Sequence, residues 1–253
     1  MKPALTSRQL LEYYQSLRQQ SFCVVDLETT GGNGQRDRII EIAVVCASLR
    51  EGIRTIKTDL INPRMAIPPA ITRFTGISPE MVKGMKSSAK VLPTYRDLLT
   101  SGVLTAHNFQ FDYSFLQGEF SRQGTPFTHN AQLCTVELSR LLLPHLPSRS
   151  LPNLVKHYDF KVGRSHRAEA DAIACWLLLE QLFAEMDALG EQALLSRFGQ
   201  QWLTLEHVAL ITGQPEEVIA EILAAAPVMT RFSRRRQVML YQRQGVESYF
   251  GLS

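Results

Sequence analysis

The stretch Phe22-Cys23-Val24-Val25-Asp26-Leu27-Glu28-Thr29-Thr30-Gly31 decides how the rest of the chain reads. Its apolar opening, Phe22 to Val25, predicts a buried strand running to Leu27. Asp26 and Glu28 are two apart, and on a strand such residues point to the same face. Two neighbouring carboxylates repel, and burying them is costly unless something positive lies between them. The simplest such partner is a hard divalent cation held by oxygen ligands. Thr29, Thr30 and Gly31 then predict a tight turn that offers small polar groups. Taken alone, the pattern is more simply an aspartate that opens a turn at a strand end.

The bulk properties set bounds. A chain of 253 residues holds one large domain, or a medium one with a small appendage. With 45% hydrophobic and 20% charged residues it reads as an ordinary globular protein. A net charge of +3 gives no overall polycationic signature, so binding to nucleic acid rests on local patches. Cys23, Cys46, Cys134 and Cys175 are scattered and form no C-x-x-C pair, which predicts buried, reduced thiols. The first residues carry no apolar signal core, and no run approaches the ~18 apolar residues of a membrane span. The expectation is a cytoplasmic protein with no membrane partner.

Residues 6–19 predict a helix with Leu10, Leu11, Tyr14 and Leu17 on one stripe, packed on the main domain. Strands are expected at Phe22 to Leu27, Ile39 to Ala47 and Ile53 to Ile61, joined as an antiparallel meander, with a fourth at Val103 to Ala106. Short helices are expected within residues 67–100, and longer ones at Phe109 to Arg122, Thr135 to Leu143, Ser150 to Tyr158 and Arg167 to Leu189. Strands first and then strands mixed with helices predict an α/β fold with a sheet of mixed direction.

Two later segments answer the opening one: His107-Asn108-Phe109-Gln110-Phe111-Asp112 and His166-Arg167-Ala168-Glu169-Ala170-Asp171. Each has a plain explanation. Asp112 suits the positive end of a helix dipole, and His166 reads as an exposed loop histidine. Asp171 is harder to dismiss, because an acid among Ala170, Ala172, Ile173 and Ala174 wants a partner. Glu41, acidic within an apolar strand, is expected to have a buried hydrogen-bonded partner, and Glu169 to face solvent. His107 and Asn108 are read as structural more than substrate-binding.

The order and spacing of D-x-E-T-T-G, H-N-x-x-F-D and H-R-A-x-x-D resemble the three motifs of the DEDDh (DnaQ-like) 3′–5′ exonucleases. That family includes the proofreading subunit of the bacterial replicative polymerase III, ribonuclease T and oligoribonuclease. Thr75-Gly76-Ile77 resembles a further family segment. The resemblance covers about residues 20–185. It implies a ribonuclease-H-like mixed β-sheet flanked by helices. It implies that Asp26, Glu28, Asp112 and Asp171 ligate two divalent ions, Mg²⁺ or Mn²⁺, and that His166 is the general base. The implied activity releases nucleoside 5′-monophosphates from single-stranded or frayed 3′ ends, with single-stranded DNA favoured and RNA open, in replication or repair. A DNA polymerase or other replication protein is an implied partner. The alternatives are an RNA 3′-end processing exoribonuclease and a nucleic-acid-binding or polymerase-tethering accessory protein. Thr29, Thr30 and Phe111 are candidate substrate contacts, the last by stacking on a base; simple turn and core roles compete for these three.

The resemblance leaves the C-terminus aside. Residues 204–211 and 216–226 predict two helices, with Val218, Ile219, Ile222 and Leu223 toward a core. Residues 228–232 and 237–241 predict a hairpin, and the whole suggests a small winged-helix-like α+β module. The expected organisation is an N-terminal helix at 1–20, the exonuclease domain at 21–189 and this module at 190–253. Arg231, Arg234, Arg235, Arg236 and Arg243 suggest a basic wing facing nucleic acid, against the plainer reading of a solvated charged turn. Glu216, Glu217 and Glu221 make the second helix a poor guest in a groove lined by phosphates.

Overall fold

The computed structural model describes residues 5–234 and 236–252. In chain order the elements are α1 (Ser7–Leu17), β1 (Ser21–Thr29), β2 (Ile39–Ser48), β3 (Gly52–Leu60), α2 (Pro69–Thr75), α3 (Pro79–Lys83), α4 (Ser88–Val91), a 3₁₀ turn (Leu92–Tyr95), α5 (Arg96–Thr100), β4 (Val103–Ala106), α6 (Phe109–Arg122), β5 (Gln132–Cys134), α7 (Thr135–Leu142), α8 (Leu151–Tyr158) and α9 (Ala168–Ala188). They continue with α10 (Glu191–Gly199), β6 (Trp202–Leu203), α11 (Leu205–Thr212), α12 (Glu216–Ala225), β7 (Thr230–Ser233), β8 (Val238–Gln242) and α13 (Arg243–Tyr249). No helix among the described residues is long and apolar enough to cross a membrane.

The chain divides into two compact units. The larger comprises residues 19–140 and 145–183. Its sheet runs β3-β2-β1-β4-β5. β1, β2 and β3 form the expected antiparallel meander, whereas β1–β4 and β4–β5 are parallel. Period-2 alternation sorts β1 between two layers. Cys23, Val25 and Leu27 join a core with Val44, Leu104, Phe115, Leu116 and Phe120. Phe22 lies on the other face, its ring 5.8 Å from Trp176 and 6.0 Å from Phe183 of α9. The same alternation carries Asp26 and Glu28 to the α9 face.

The loop after β1 is tied to α6. Arg122 donates from Nη2 to the carbonyls of Gly34 (3.0 Å) and Gln35 (2.7 Å). The approach is so close that a Cβ at Gly118 would lie 2.3 Å from the Gly34 oxygen, so only glycine fits there.

The smaller unit comprises residues 5–18, 141–144 and 184–252. After α1 its order is helix, strand, helix, helix, strand, strand, helix, with a three-stranded antiparallel sheet β6-β8-β7. Leu203, Val208, Ala209, Ile219, Leu223, Val228 and Val246 form its core. Thr204 caps α11 by accepting from His207 N, and Gly213 ends that helix in the left-handed region.

Three expectations are corrected here. α1 does bury Leu10, Leu11, Tyr14 and Leu17, but it groups with the C-terminal elements rather than with the main domain. Its Tyr14 ring meets Phe198 of α10 at 6.4 Å. Val218 is 42% exposed and lies outside the core, because the buried stripe of α12 is only Ile219 and Leu223. Arg243 is not part of a basic patch: it is 5% exposed, donates to Gln201 Oε1, the Leu5 carbonyl and Glu247, and so works as an internal clamp.

Candidate active site

The cleft opens where parallel strands β1 and β4 end, the usual place for a site in an α/β sheet. Its volume is about 280 Å³. Asp26, Glu28, Asp112, His166 and Asp171 all line it, together with Thr29, His107 and Phe111. All four expected acids and the expected histidine therefore share one cavity.

Three pieces of local structure deliver the four acids. Asp26 and Glu28 come from β1, and the pairing with β2 slips just after Glu28, leaving an irregularity that ends the regular ladder at the cleft. Asp112 sits in the first turn of α6, 3% exposed, and accepts from the backbone N–H of Leu27 at 3.1 Å. Asn108 precedes that helix at φ 76°, a left-handed position asparagine tolerates better than most residues. Asp171 reaches in from the start of α9, 9% exposed, accepting from the backbone N–H of His166 at 2.9 Å. His166 itself has φ 62°, outside the region ordinary residues prefer. Its imidazole lies on Phe74, ring centroids 3.8 Å apart and 31° from parallel.

The segment carrying His166 and Asp171 is anchored by Glu41. This residue, on β2 directly opposite Glu28, is 1% exposed. It pairs with Arg167 Nη2 at 2.7 Å and accepts from the Ala168 N–H at 2.9 Å, at the first residue of α9. The expected buried partner is thus Arg167, and Glu41 is held to the helix start. Glu169 is exposed, as expected, with Thr58 Oγ1 donating to it at 2.7 Å.

Electrostatics in the cleft follow from crowding. Burial, then Asp112, Asp171, Glu28 and Glu41, hold the Asp26 carboxyl well above its ordinary range. Burial, then Asp171 and Glu41, push Glu28 up to about 8, with Arg167 opposing. Burial raises Asp112 as well, against the N–H of Leu27, and raises Asp171 against the His166 N–H. Carboxyls raised this way are short of positive charge. One ligand atom each from Glu28, His166 and Asp171 lies within 4.8 Å of the others, compact enough for a single cation. Carboxylate oxygens are the donor chemistry of a hard divalent ion, so the acids fit one, with the His166 imidazole beside them.

The remaining candidates divide. Phe111 is half-buried at the cleft wall, 5.1 Å from the Phe115 ring. Thr29 lines the cleft while its hydroxyl donates to the Gly31 carbonyl at 2.6 Å. The structure gives Thr30 a different occupation: it is 3% exposed, its hydroxyl accepts from Arg38 N–H at 3.0 Å, and it closes the loop after β1 instead of lining the cleft. His107 uses both ring nitrogens, with Thr135 Oγ1 and the Arg149 carbonyl at 2.9 Å each, and burial lowers it to about 4. Sequence reasoning missed Ile71 and Phe74, which line the cleft together with Thr75. The Thr75-Gly76-Ile77 segment pointed at this part of the lining without naming a role for it. In the smaller unit Arg231, Arg234 and Arg236 are exposed near the β7–β8 turn, and Arg235 lies outside the described residues.

The exonuclease family RNase_T matches residues 23–179, and the chain belongs to it. The class so defined is that of the DnaQ-like, or DEDDh, 3′–5′ exonucleases, as the three motifs implied. Among curated proteins it is 35% identical over 172 residues to the PolC-type DNA polymerase III of Latilactobacillus sakei, covering 68% of this chain and 12% of that protein. The PolC-type polymerase of Caldanaerobacter subterraneus is 34% identical over 169 residues, 67% of this chain and again 12% of the relative. The chain thus spans about an eighth of the length of these relatives. Among solved structures, Exonuclease X in complex with 5′ overhanging duplex DNA aligns with TM-score 0.53 at 25% identity, over 70% of this chain and 98% of that one. E. coli Exonuclease I in complex with a dT13 oligonucleotide aligns with TM-score 0.61 at 19% identity, over 67% and 42% respectively, a likeness of fold.

Proposed function

We propose that this enzyme removes nucleoside 5′-monophosphates one at a time from single-stranded or frayed 3′ ends of DNA. The observation that carries the reading is the meeting of four acids and one histidine in a single cleft, with carboxyls raised by burial and then by one another. Asp26, Glu28, Asp112 and Asp171 would hold two divalent ions, Mg²⁺ or Mn²⁺. When bound, such ions lower the pKa of water and stabilise charge on attacking and leaving oxygens at phosphorus. His166 accepts the proton of the attacking water on its imidazole. Phe74, stacked on that ring, fixes its plane; Glu41, through Arg167 and Ala168, fixes the backbone it rides on. Phe111 offers a face to the terminal base, and Thr29 lies beside the acids.

DNA is favoured over RNA because the PolC relatives are DNA polymerases and the neighbours Exonuclease X and Exonuclease I are seen with DNA. The same relatives support a role in replication or repair and association with a DNA polymerase. The test is digestion of 5′-labelled single-stranded DNA and matched RNA with Mg²⁺, Mn²⁺ or EDTA, resolved at single-nucleotide steps. The expected result is a metal-dependent ladder shortening from the 3′ end, faster on DNA. Endonucleolytic fragments, or faster loss of RNA, would contradict it.

A further inference from the structure

The β7–β8 hairpin carries chemistry that the cleft does not use. From Ile222 to Val246 the chain contains no aspartate or glutamate and five arginines. Arg243 is spent internally, as described above. Arg231, Arg234 and Arg236 are exposed, and among the described residues no ion pair engages them. The Arg231 guanidinium lies 4.9 Å from the Trp202 ring centre, which holds it to that face of the sheet and leaves Arg234 and Arg236, at the turn, free to meet an anion.

Next to the turn that carries Arg234 and Arg236, and on the face of the ladder opposite Arg231, stands an apolar pair. Phe232 and Met239 face each other across the two strands. Directly opposed residues of an antiparallel pair point to the same side. Phe232 is 51% exposed and Met239 41%, so a ring and a thioether stand together in water. Guanidinium groups alone suit any polyanion. A bare ring next to them selects one that brings planar bases along with its phosphates.

We propose that this hairpin binds a single-stranded segment of nucleic acid, with Phe232 and Met239 stacked against bases and Arg234 and Arg236, at the turn, paired with phosphates. The proposal rests on the reading of the chain as a nuclease only in that the ligand is the same class of polymer. A single strand is chosen over a duplex because a ring stacks on a base only when that base is unstacked from its neighbours. The exposed Glu216, Glu217 and Glu221 on α12 also repel a duplex backbone that would bring that helix into a groove.

The test uses the full chain in EDTA, so that binding is read without cleavage. Fluorescence anisotropy follows a labelled oligothymidylate of about 20 nucleotides, long enough for one such site, a matched duplex, and a poly-glutamate peptide. The variants are Phe232→Ala and the double change Arg234→Gln with Arg236→Gln; the three substituted positions are exposed, and melting curves matching wild type establish folding. Phe232→Tyr serves as the conservative control. Phe232→Ala is expected to weaken oligothymidylate binding about tenfold, and Phe232→Tyr to retain it. The arginine variant should also weaken it about tenfold and reduce the slope of log affinity against log salt by roughly 1.4, the contribution of two phosphates on a single strand. Unchanged affinity and slope would overturn the proposal. So would an equal loss on duplex, which makes the site a duplex wing, or loss confined to poly-glutamate, which makes it a surface for an acidic protein. Mn²⁺-dependent hydrolysis of a dinucleotide, run alongside, keeps the two readings apart: its loss in wild type contradicts the nuclease reading without touching the hairpin, and its persistence with unaltered binding sinks the hairpin alone.

Discussion

Glu28 is under more electrostatic pressure than its place on a strand would suggest. It is 8% exposed, faces Asp171 in the cleft, and stands opposite Glu41 in the β-ladder. Its folded pKa of about 8 lies above the 4.5 of a free glutamate. The sign follows: between those values the folded state holds a proton that the unfolded chain has released. Stability from this group is complete below about 4.5 and is lost as pH rises through 8. Protein stripped with EDTA is therefore expected to lose at least about 3 °C in Tm between pH 5 and pH 8, and Mn²⁺ should restore more of it at pH 8 than at pH 5. An EDTA-treated Tm that is flat or rises over that range would contradict the crowded-carboxylate description. At this scale the sequence was informative about the acids and silent about their neighbours. D-x-E on a strand announces a shared face, but the hydroxyl of Thr30 could satisfy a ligand or its own loop, and only the fold shows it meeting Arg38. Nothing in the spacing of Phe74 and His166 tells that their rings stack.

Among elements, the join between β2 and α9 is the one that sets the site. α9 would start wherever its apolar run permits, were it not for Glu41 accepting from Ala168 N–H and pairing with Arg167. Glu41→Gln keeps the size but removes the charge. It is expected to cost about 1–3 kcal/mol in denaturant unfolding, with a fall in kcat larger than the change in KM, because His166 and Asp171 ride on that helix start. Unaltered stability and kcat would show that the join does not position them. Strands β1 to β4 and helices α6 to α9 were legible within a residue or two, because each is a sustained apolar or amphipathic run bounded by turn or breaking residues. β5, α10, β6 and α13 were not expected. β5 and β6 are three and two residues long, too short for any alternation, and exist only through their partners. α13 holds Gly245 and follows a strand with no break, so its helical state comes from burying Val246, Arg243 and Glu247 rather than from propensity.

At the scale of the molecule, the cleft is a long-range construction. Residues 26, 28, 112, 166 and 171 come from two strand positions, one helix start, and the lead into and first turn of another helix, and the sheet order β3-β2-β1-β4-β5 brings them together. The sequence made this legible only through three motifs in order; any one of them had a plain alternative. What stayed illegible was how the remaining residues group. α1 shares a unit with residues far along the chain, through contacts such as Ser7 N–H to Glu247 Oε1 at 2.6 Å, and no local pattern encodes that. The measurement that bears most directly on the central claim is Mn²⁺ calorimetry and single-stranded DNA turnover on the same preparations of wild type, Asp26→Asn and His166→Ala. The account predicts that Asp26→Asn loses Mn²⁺ affinity and turnover together, while His166→Ala binds Mn²⁺ and turns over about 10²–10⁴-fold more slowly. Wild-type turnover in either variant would contradict it.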